Sequence, residues 1–293
     1  MPDTIRVEKD IAYAGSQNPR QTLDLYLPKK PSNDQPLPVI VNIHGGAFRM
    51  GDKGMGVSEI ASLVASGDYA GVSINYRLSN EAIWPAQIHD CKAAIRWVRA
   101  NAARYQLNPD KIGVIGASAG GALVAMLGTS GGVAELEGTI GAHVGVSSDV
   151  QCVVDQFGPV ELLTMAEYQS GGKTANDATS PESQLIGGPV QENKDKARAA
   201  SATTYASNED PPTLIFHGTA DPLVPFNQSE RLYGALKKAG VETYFVPVKG
   251  AGHGGFRSPE VPKRIRSFLD AQLRGQKTGP MEETPIENGS SDR

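Results

Sequence analysis

The chain has 293 residues, 39% apolar and 20% charged, with a formal net charge of −4. That length and composition suit one large domain of a soluble globular protein and exclude a disordered one. The charge creates no field that favours nucleic acid or an anionic membrane, and no apolar run approaches the ~18–20 residues of a membrane span.

In chain order, residues 5–13 and 22–27 read as β-strands split by a turn around Gly15 to Pro19. Gln21 to Leu27 alternates apolar and polar residues, as a half-buried antiparallel strand should. Pro28 to Pro38 is a polar, proline-rich loop. Val39 to Ile43 is almost wholly apolar, the pattern of a buried parallel strand. A helix is expected near 57–66, then a strand over Ala70 to Asn75. Ile88, Cys91, Ala94, Ile95 and Val98 recur at helical spacing, so 86–104 reads as a helix. Strand 111–115 runs into a glycine-rich turn and a helix-like run, Gly121 to Leu127. Later strands are expected at 150–155, 213–217 and 241–248, and helices at 229–238 and 262–272. Strands alternating with helices predict a mostly parallel sheet covered on both faces, with an antiparallel N-terminal edge.

Two stretches interrupt this rhythm. Thr129 to Ser148 is glycine-rich and reads as a loop. Glu161 to Asp210 is long and polar, broken by Gly171-Gly172, Pro181 and Gly187-Gly188-Pro189. It is either a lid inserted in the domain or a solvated surface excursion. One domain is expected over 1–274, with a disordered tail over 275–293. Two free thiols, Cys91 and Cys152, are expected ahead of a disulfide. Met1 to Asp10 lacks the basic start and apolar centre of a secretory signal. A cytoplasmic location is the default expectation, with export from a longer precursor left open.

Gly116-Ala117-Ser118-Ala119-Gly120 sits between an apolar strand and a helix, the context in which G-x-S-x-G makes a nucleophile elbow. The pattern names the Ser118 hydroxyl as the reacting atom. A free serine hydroxyl is a poor nucleophile at neutral pH, so it needs a base, and the base needs an orienting carboxylate. The chain has five histidines. His89 lies on a helix beside Asp90, and His143 lies in the glycine-rich loop. His44 and His217 end strands and open glycine turns, where they shape loops. His253 lies in Gly250-Ala251-Gly252-His253-Gly254-Gly255, just after strand 241–248, where glycines let the loop carry the imidazole over the sheet edge. It is the predicted base. Asp221, just beyond strand 213–217 and held extended by Pro222, is the predicted acid. Alone, Asp221 reads equally well as a turn or N-cap aspartate. The order Ser118, Asp221, His253 is that of the α/β-hydrolase triad.

Strand 39–43 runs into His44-Gly45-Gly46-Ala47-Phe48, an HGGG-type loop. Backbone N–H groups in Gly45, Gly46 and Ala47, with that of Ala119, are the predicted oxyanion donors. A phosphate-loop reading fails, because Asp52-Lys53 stands where Gly-Lys-Ser/Thr is required.

These segments together resemble the α/β-hydrolase esterases related to hormone-sensitive lipase. The resemblance is nearest to the bacterial group of bifunctional feruloyl and acetyl-xylan (BD-FAE-like) esterases. It extends to Gly46–Lys53, Asn75–Leu78, Trp84–Ala86, Ile95–Val98 and Asp155–Pro159, and covers about residues 5–272. Ala47 stands where relatives of hormone-sensitive lipase often have a third glycine; its backbone donor is retained. The sparse apolar content of 161–210 argues against a lid for long-chain fats. The resemblance implies a serine carboxylesterase acting on short or carbohydrate-linked acyl esters through an acyl-serine. It implies no metal and no cofactor, a small-molecule ester as partner, and a monomer or small homo-oligomer. It also implies that Tyr76, Arg77 and Asp90 brace the sheet edge. Phe48, Phe157 and Phe226 are candidates for the substrate pocket or for core packing. Two other readings stay open: a peptidase of the prolyl-oligopeptidase type, for which the chain has no room for the usual extra N-terminal domain, and a binding protein on a retired hydrolase fold.

Overall fold

The computed structural model describes residues 2–166, 175–279 and 281–289. Among the described residues nine strands form one sheet in the order β1-β2-β4-β3-β5-β6-β7-β8-β9. They are β1 (Ile5–Ala12), β2 (Thr22–Pro28), β3 (Leu37–Ile43), β4 (Ala70–Ile74), β5 (Leu107–Ala117), β6 (Cys152–Gln156), β7 (Thr213–Gly218), β8 (Thr243–Lys249) and β9 (Ile286–Glu287). β2 pairs antiparallel with β1 and β4, and every pairing from β4 to β9 is parallel. The helices are α1 (Val57–Ala65), α2 (Ala86–Ala100), α3 (Ala102–Tyr105), α4 (Ala119–Thr129), α5 (Ala134–Glu137), α6 (Leu162–Met165), α7 (Pro181–Ile186), α8 (Lys194–Ala199), α9 (Asn227–Ala239) and α10 (Glu260–Arg274).

Two apolar layers sandwich the sheet. Residues of α2, α4 and α9 pack on one face, and those of α1 and α10 on the other. Strands such as Val39–Ile43 are apolar along their whole length because both of their faces meet helices. The two thiols are free and buried, Cys91 in the first layer and Cys152 in the second. This is the α/β-hydrolase architecture expected from the sequence.

The structure departs from the expected elements in four places. β2 is buried on both faces rather than one: Leu23, Leu25 and Leu27 join one apolar layer and Tyr26 the other. Its inward charge, Asp24, is met by Lys53 at 2.9 Å. β5 begins at Leu107, four residues early, because Leu107 pairs with Leu37 ahead of a register irregularity. The 129–148 stretch contains one helical turn, α5. The Glu137 carboxylate on that turn takes hydrogen bonds from Lys92, Arg96 and Ser148, which fastens the loop. Finally, the stretch after Gly275 was expected to be disordered, yet Ile286–Glu287 pairs with Val248–Lys249 and buries Ile286. Of the 161–210 insertion, α6, α7 and α8 are described, while Gly171-Gly172 lies outside the described residues. Among the described residues, no helix is long and apolar enough to cross a membrane.

Candidate active site

The sheet register brings the C-terminal ends of its parallel strands to one edge. Gly116 of β5 lies beside Ile43 of β3 and Asp155 of β6, and His217 of β7 lies beside Pro247 of β8. The loops that follow these strands therefore converge, as ligand-binding loops do in open parallel sheets.

Ser118 occupies the turn between β5 and α4 with φ 57°, ψ −122°, a strained conformation for a residue with a side chain. Only small neighbours permit it. A Cβ on Gly116 would lie 2.4 Å from the Gly120 carbonyl oxygen, and one on Gly120 would lie 2.0 Å from that of Ile43. The Ser118 N–H donates to the Gln156 carbonyl, which fixes the turn against β6.

His253 and Asp221 meet Ser118 from two further loops. His253 Nε2 stands 2.9 Å from Ser118 Oγ, and Nδ1 stands 2.8 Å from Asp221 Oδ2. Asp221 Oδ1 accepts the N–H groups of Leu223 and Val224. Burial works to raise the Asp221 pKa. Hydrogen bonds from His217, His253 and Leu223 outweigh it and hold the carboxyl well below the usual carboxylate range.

His217 is the group that sequence reasoning missed. It was expected only to shape its loop. Instead its Nε2 lies 3.3 Å from Asp221 Oδ2 and 3.0 Å from the Val224 carbonyl, while Nδ1 lies 2.7 Å from Ser229 Oγ. Two acceptors facing Nε2 place the proton there and leave Nδ1 to accept from the Ser229 hydroxyl. The signal available in the sequence was its position four residues before Asp221. His89 and His143 stand apart. His89 Nε2 meets the Glu135 carbonyl at 3.1 Å, and His143 lies in the 129–148 segment.

The loop after β3 lies directly against the elbow, since a Cβ on Gly45 would come 2.8 Å from the Ala117 carbonyl oxygen. Gly46, Ala47 and Phe48 all have positive φ, at 112°, 55° and 58°. The Gly46 carbonyl turns inward to accept from Arg49 and Met50. Among the described residues, the N–H groups of Gly46 and Ala47 donate to no other group, which leaves them available to a ligand. His44 stacks on Tyr76 with ring centroids 4.3 Å apart, and the Tyr76 hydroxyl donates to the His44 carbonyl. Burial lowers the His44 pKa to about 4, so its imidazole is neutral at physiological pH. Arg77 forks onto the buried Asp90 carboxylate at 2.8 and 2.9 Å beneath this loop.

Ser118 and His253 open into a cleft of about 840 Å³. Phe48 and Phe157 line it. Phe226 does not; it packs on His217 and Phe245, with centroids 5.5 and 5.3 Å away. One wall comes from the insertion, from Ala175 to Gln184. Arg49 reaches across from the β3 loop to the Thr179 carbonyl at 3.2 Å and Gln184 Oε1 at 3.3 Å. Glu182 in the same wall is buried, and that burial raises its pKa. Among the described residues, no cluster of three or more His, Cys, Asp or Glu side chains could hold a metal ion.

Comparison with known proteins adds to this geometry. The family model for BD-FAE matches residues 23–236. Esterase LipQ of Mycobacterium tuberculosis is 29% identical over 92% of this chain and 63% of its own length. The chain spans between half and two thirds of the length of the mycobacterial esterases it matches. A truncated carbohydrate esterase from gut microbiota superposes with a TM-score of 0.86 at 36% identity, covering 94% of this chain and 99% of that one. A bifunctional GH43-CE protein of Bacteroides eggerthii superposes with a TM-score of 0.83, also at 36% identity, over 93% of this chain and 36% of that one.

Proposed function

This chain belongs to the BD-FAE family, and from that premise we propose that it is a serine carboxylesterase that works through an acyl-serine intermediate. The reading rests on one observation above the others: the unbroken chain of contacts from Ser118 Oγ through His253 to Asp221, at 2.9 and 2.8 Å. His253 Nε2 takes the Ser118 proton as Oγ attacks the ester carbonyl carbon. Asp221 holds the imidazole in the tautomer with its proton on Nδ1 and stabilises the imidazolium that forms. The carbonyl oxygen, now negative, is met by the N–H groups of Gly46, Ala47 and Ala119, with Gly45 setting the loop against the elbow. Each such donor contributes roughly 3–4 kcal/mol in the transition state. His253 then gives its proton to the leaving alcohol. A water deprotonated by the same nitrogen cleaves the acyl-serine.

For the substrate we propose short-chain or carbohydrate-linked acyl esters, taken by a monomer or small homo-oligomer. Two facts support a substrate that carries polar groups: the cleft wall of Arg49, Thr179, Glu182 and Gln184, and the 36% identity to a carbohydrate esterase. Ser118→Ala is expected to keep the thermal midpoint and to cut kcat for p-nitrophenyl acetate on the order of 10⁴-fold or more. Undiminished turnover would sink the reading. A panel of acetylated xylan oligomers, feruloyl esters and simple alkyl esters tests the substrate class.

A further inference from the structure

A second cavity, of about 510 Å³, lies between α1 and α10 on the sheet face opposite α4. Leu63, Ile115, Phe256, Val261 and Ile265 give it apolar walls. It shares Glu59 and Phe157 with the catalytic cleft. At that junction Gln156 Nε2 donates to Glu59 Oε2 at 2.6 Å, which ties the two polar groups together.

Phe157 separates the two spaces. Its backbone is left-handed at φ 46°, which is costly for an aromatic residue and rare outside functional sites. Its N–H donates to the Phe216 carbonyl, which pins the strained backbone to β7. The ring stands edge-on to His253, with centroids 4.8 Å apart, and to Phe256 at 5.5 Å. Its Cζ would lie 3.2 Å from a Cβ on Gly254, so the glycine after His253 makes room for it.

We propose that this second cavity binds the apolar part of the leaving alcohol, with Phe157 as the partition that directs it there. The inference rests on the esterase reading. His253 Nε2 must hand its proton to the leaving oxygen, so the alcohol lies on the imidazole side of Ser118. The chain that carries His253 continues as Gly254, Gly255 and Phe256 into the cavity wall. The volume lies within the range of small-molecule sites, and the side chains of Leu63, Ile115, Phe256, Val261 and Ile265 favour an apolar occupant.

Ser62 is an exposed residue of α1 on the cavity's outer wall, away from the reacting groups. Ser62→Trp fills the cavity without disturbing the core. In this variant kcat/KM for benzyl acetate is expected to fall about tenfold or more, with methyl acetate unchanged and inhibition by benzyl alcohol weakened. A benzyl-to-methyl ratio equal to that of the parent protein overturns the proposal. So does a loss confined to long acyl groups, read with methyl hexanoate. If the parent protein hydrolyses no ester, the esterase reading fails, and calorimetry with benzyl alcohol still tests the cavity. Binding that Ser62→Trp abolishes supports the site; no binding to the parent protein overturns it.

Discussion

Asp221 takes two histidines on one oxygen and two backbone N–H groups on the other. Its role depends on staying ionised and fixed. Asp221→Asn is expected to lower kcat by on the order of 10⁴-fold, because an amide no longer holds the His253 tautomer that can accept the serine proton. Asp155 shows the opposite balance. Among the described residues its Oδ1 accepts only from Gly158 N and its Oδ2 has no partner, and burial raises its pKa from 3.8 to about 7. Between those values the unfolded chain releases a proton that the folded chain keeps. The Asp155 contribution to stability is therefore fully present below about pH 4 and is lost as pH rises towards 7, at up to about 1.4 kcal/mol per unit. Asp155→Asn should remove that part of the slope, measured as urea midpoints at pH 5 and pH 7 in both proteins. The meeting of Ser118, His253 and Asp221 was legible because each follows a strand in a fixed order. His217 was not: spacing alone does not show which loop histidine turns its Nε2 to the carboxylate.

The elbow is where one element's geometry governs the site. Gly120→Ala sets a methyl against the Ile43 carbonyl, backbone against backbone, with nothing flexible to yield. The expected outcome is a thermal midpoint lower by about 10 °C or more, or no soluble protein. Gly145→Ala, which meets open space, should lie within about 0.5 kcal/mol of the parent. The parallel strands were legible because their apolar runs have no polar break. The early start of β5 was hidden by Asn108-Pro109-Asp110, which has the composition of a turn. β2 was misread because an alternating pattern implies one wet face. Lys53, distant in sequence, neutralises Asp24 and lets both faces be buried. Helix α7 of the insertion carries clear signals of its own, Ser180 capping Ser183 N and Pro181 at its start, but its docking onto Arg49 is a tertiary contact with no local trace.

At the scale of the whole molecule, β9 covers the end of the β8 edge at Val248 and Lys249. A chain ended at Gly275 exposes unpaired β8 backbone and loses the burial of Ile286. It should melt several degrees lower and aggregate as concentration rises, which light scattering would report. The sequence concealed this strand because two residues in a polar stretch carry no periodicity. The larger plan was plain: a parallel sheet whose C-terminal edge gathers a serine, a histidine, an aspartate and a glycine loop. The claim that this edge performs acyl transfer stands or falls on the serine hydroxyl being activated. A fluorophosphonate reacts fastest with such a hydroxyl, and peptide mass spectrometry locates the adduct. The account predicts one phosphonyl group on Ser118, absent from His253→Ala. An unmodified Ser118, or an adduct at another residue, would contradict it.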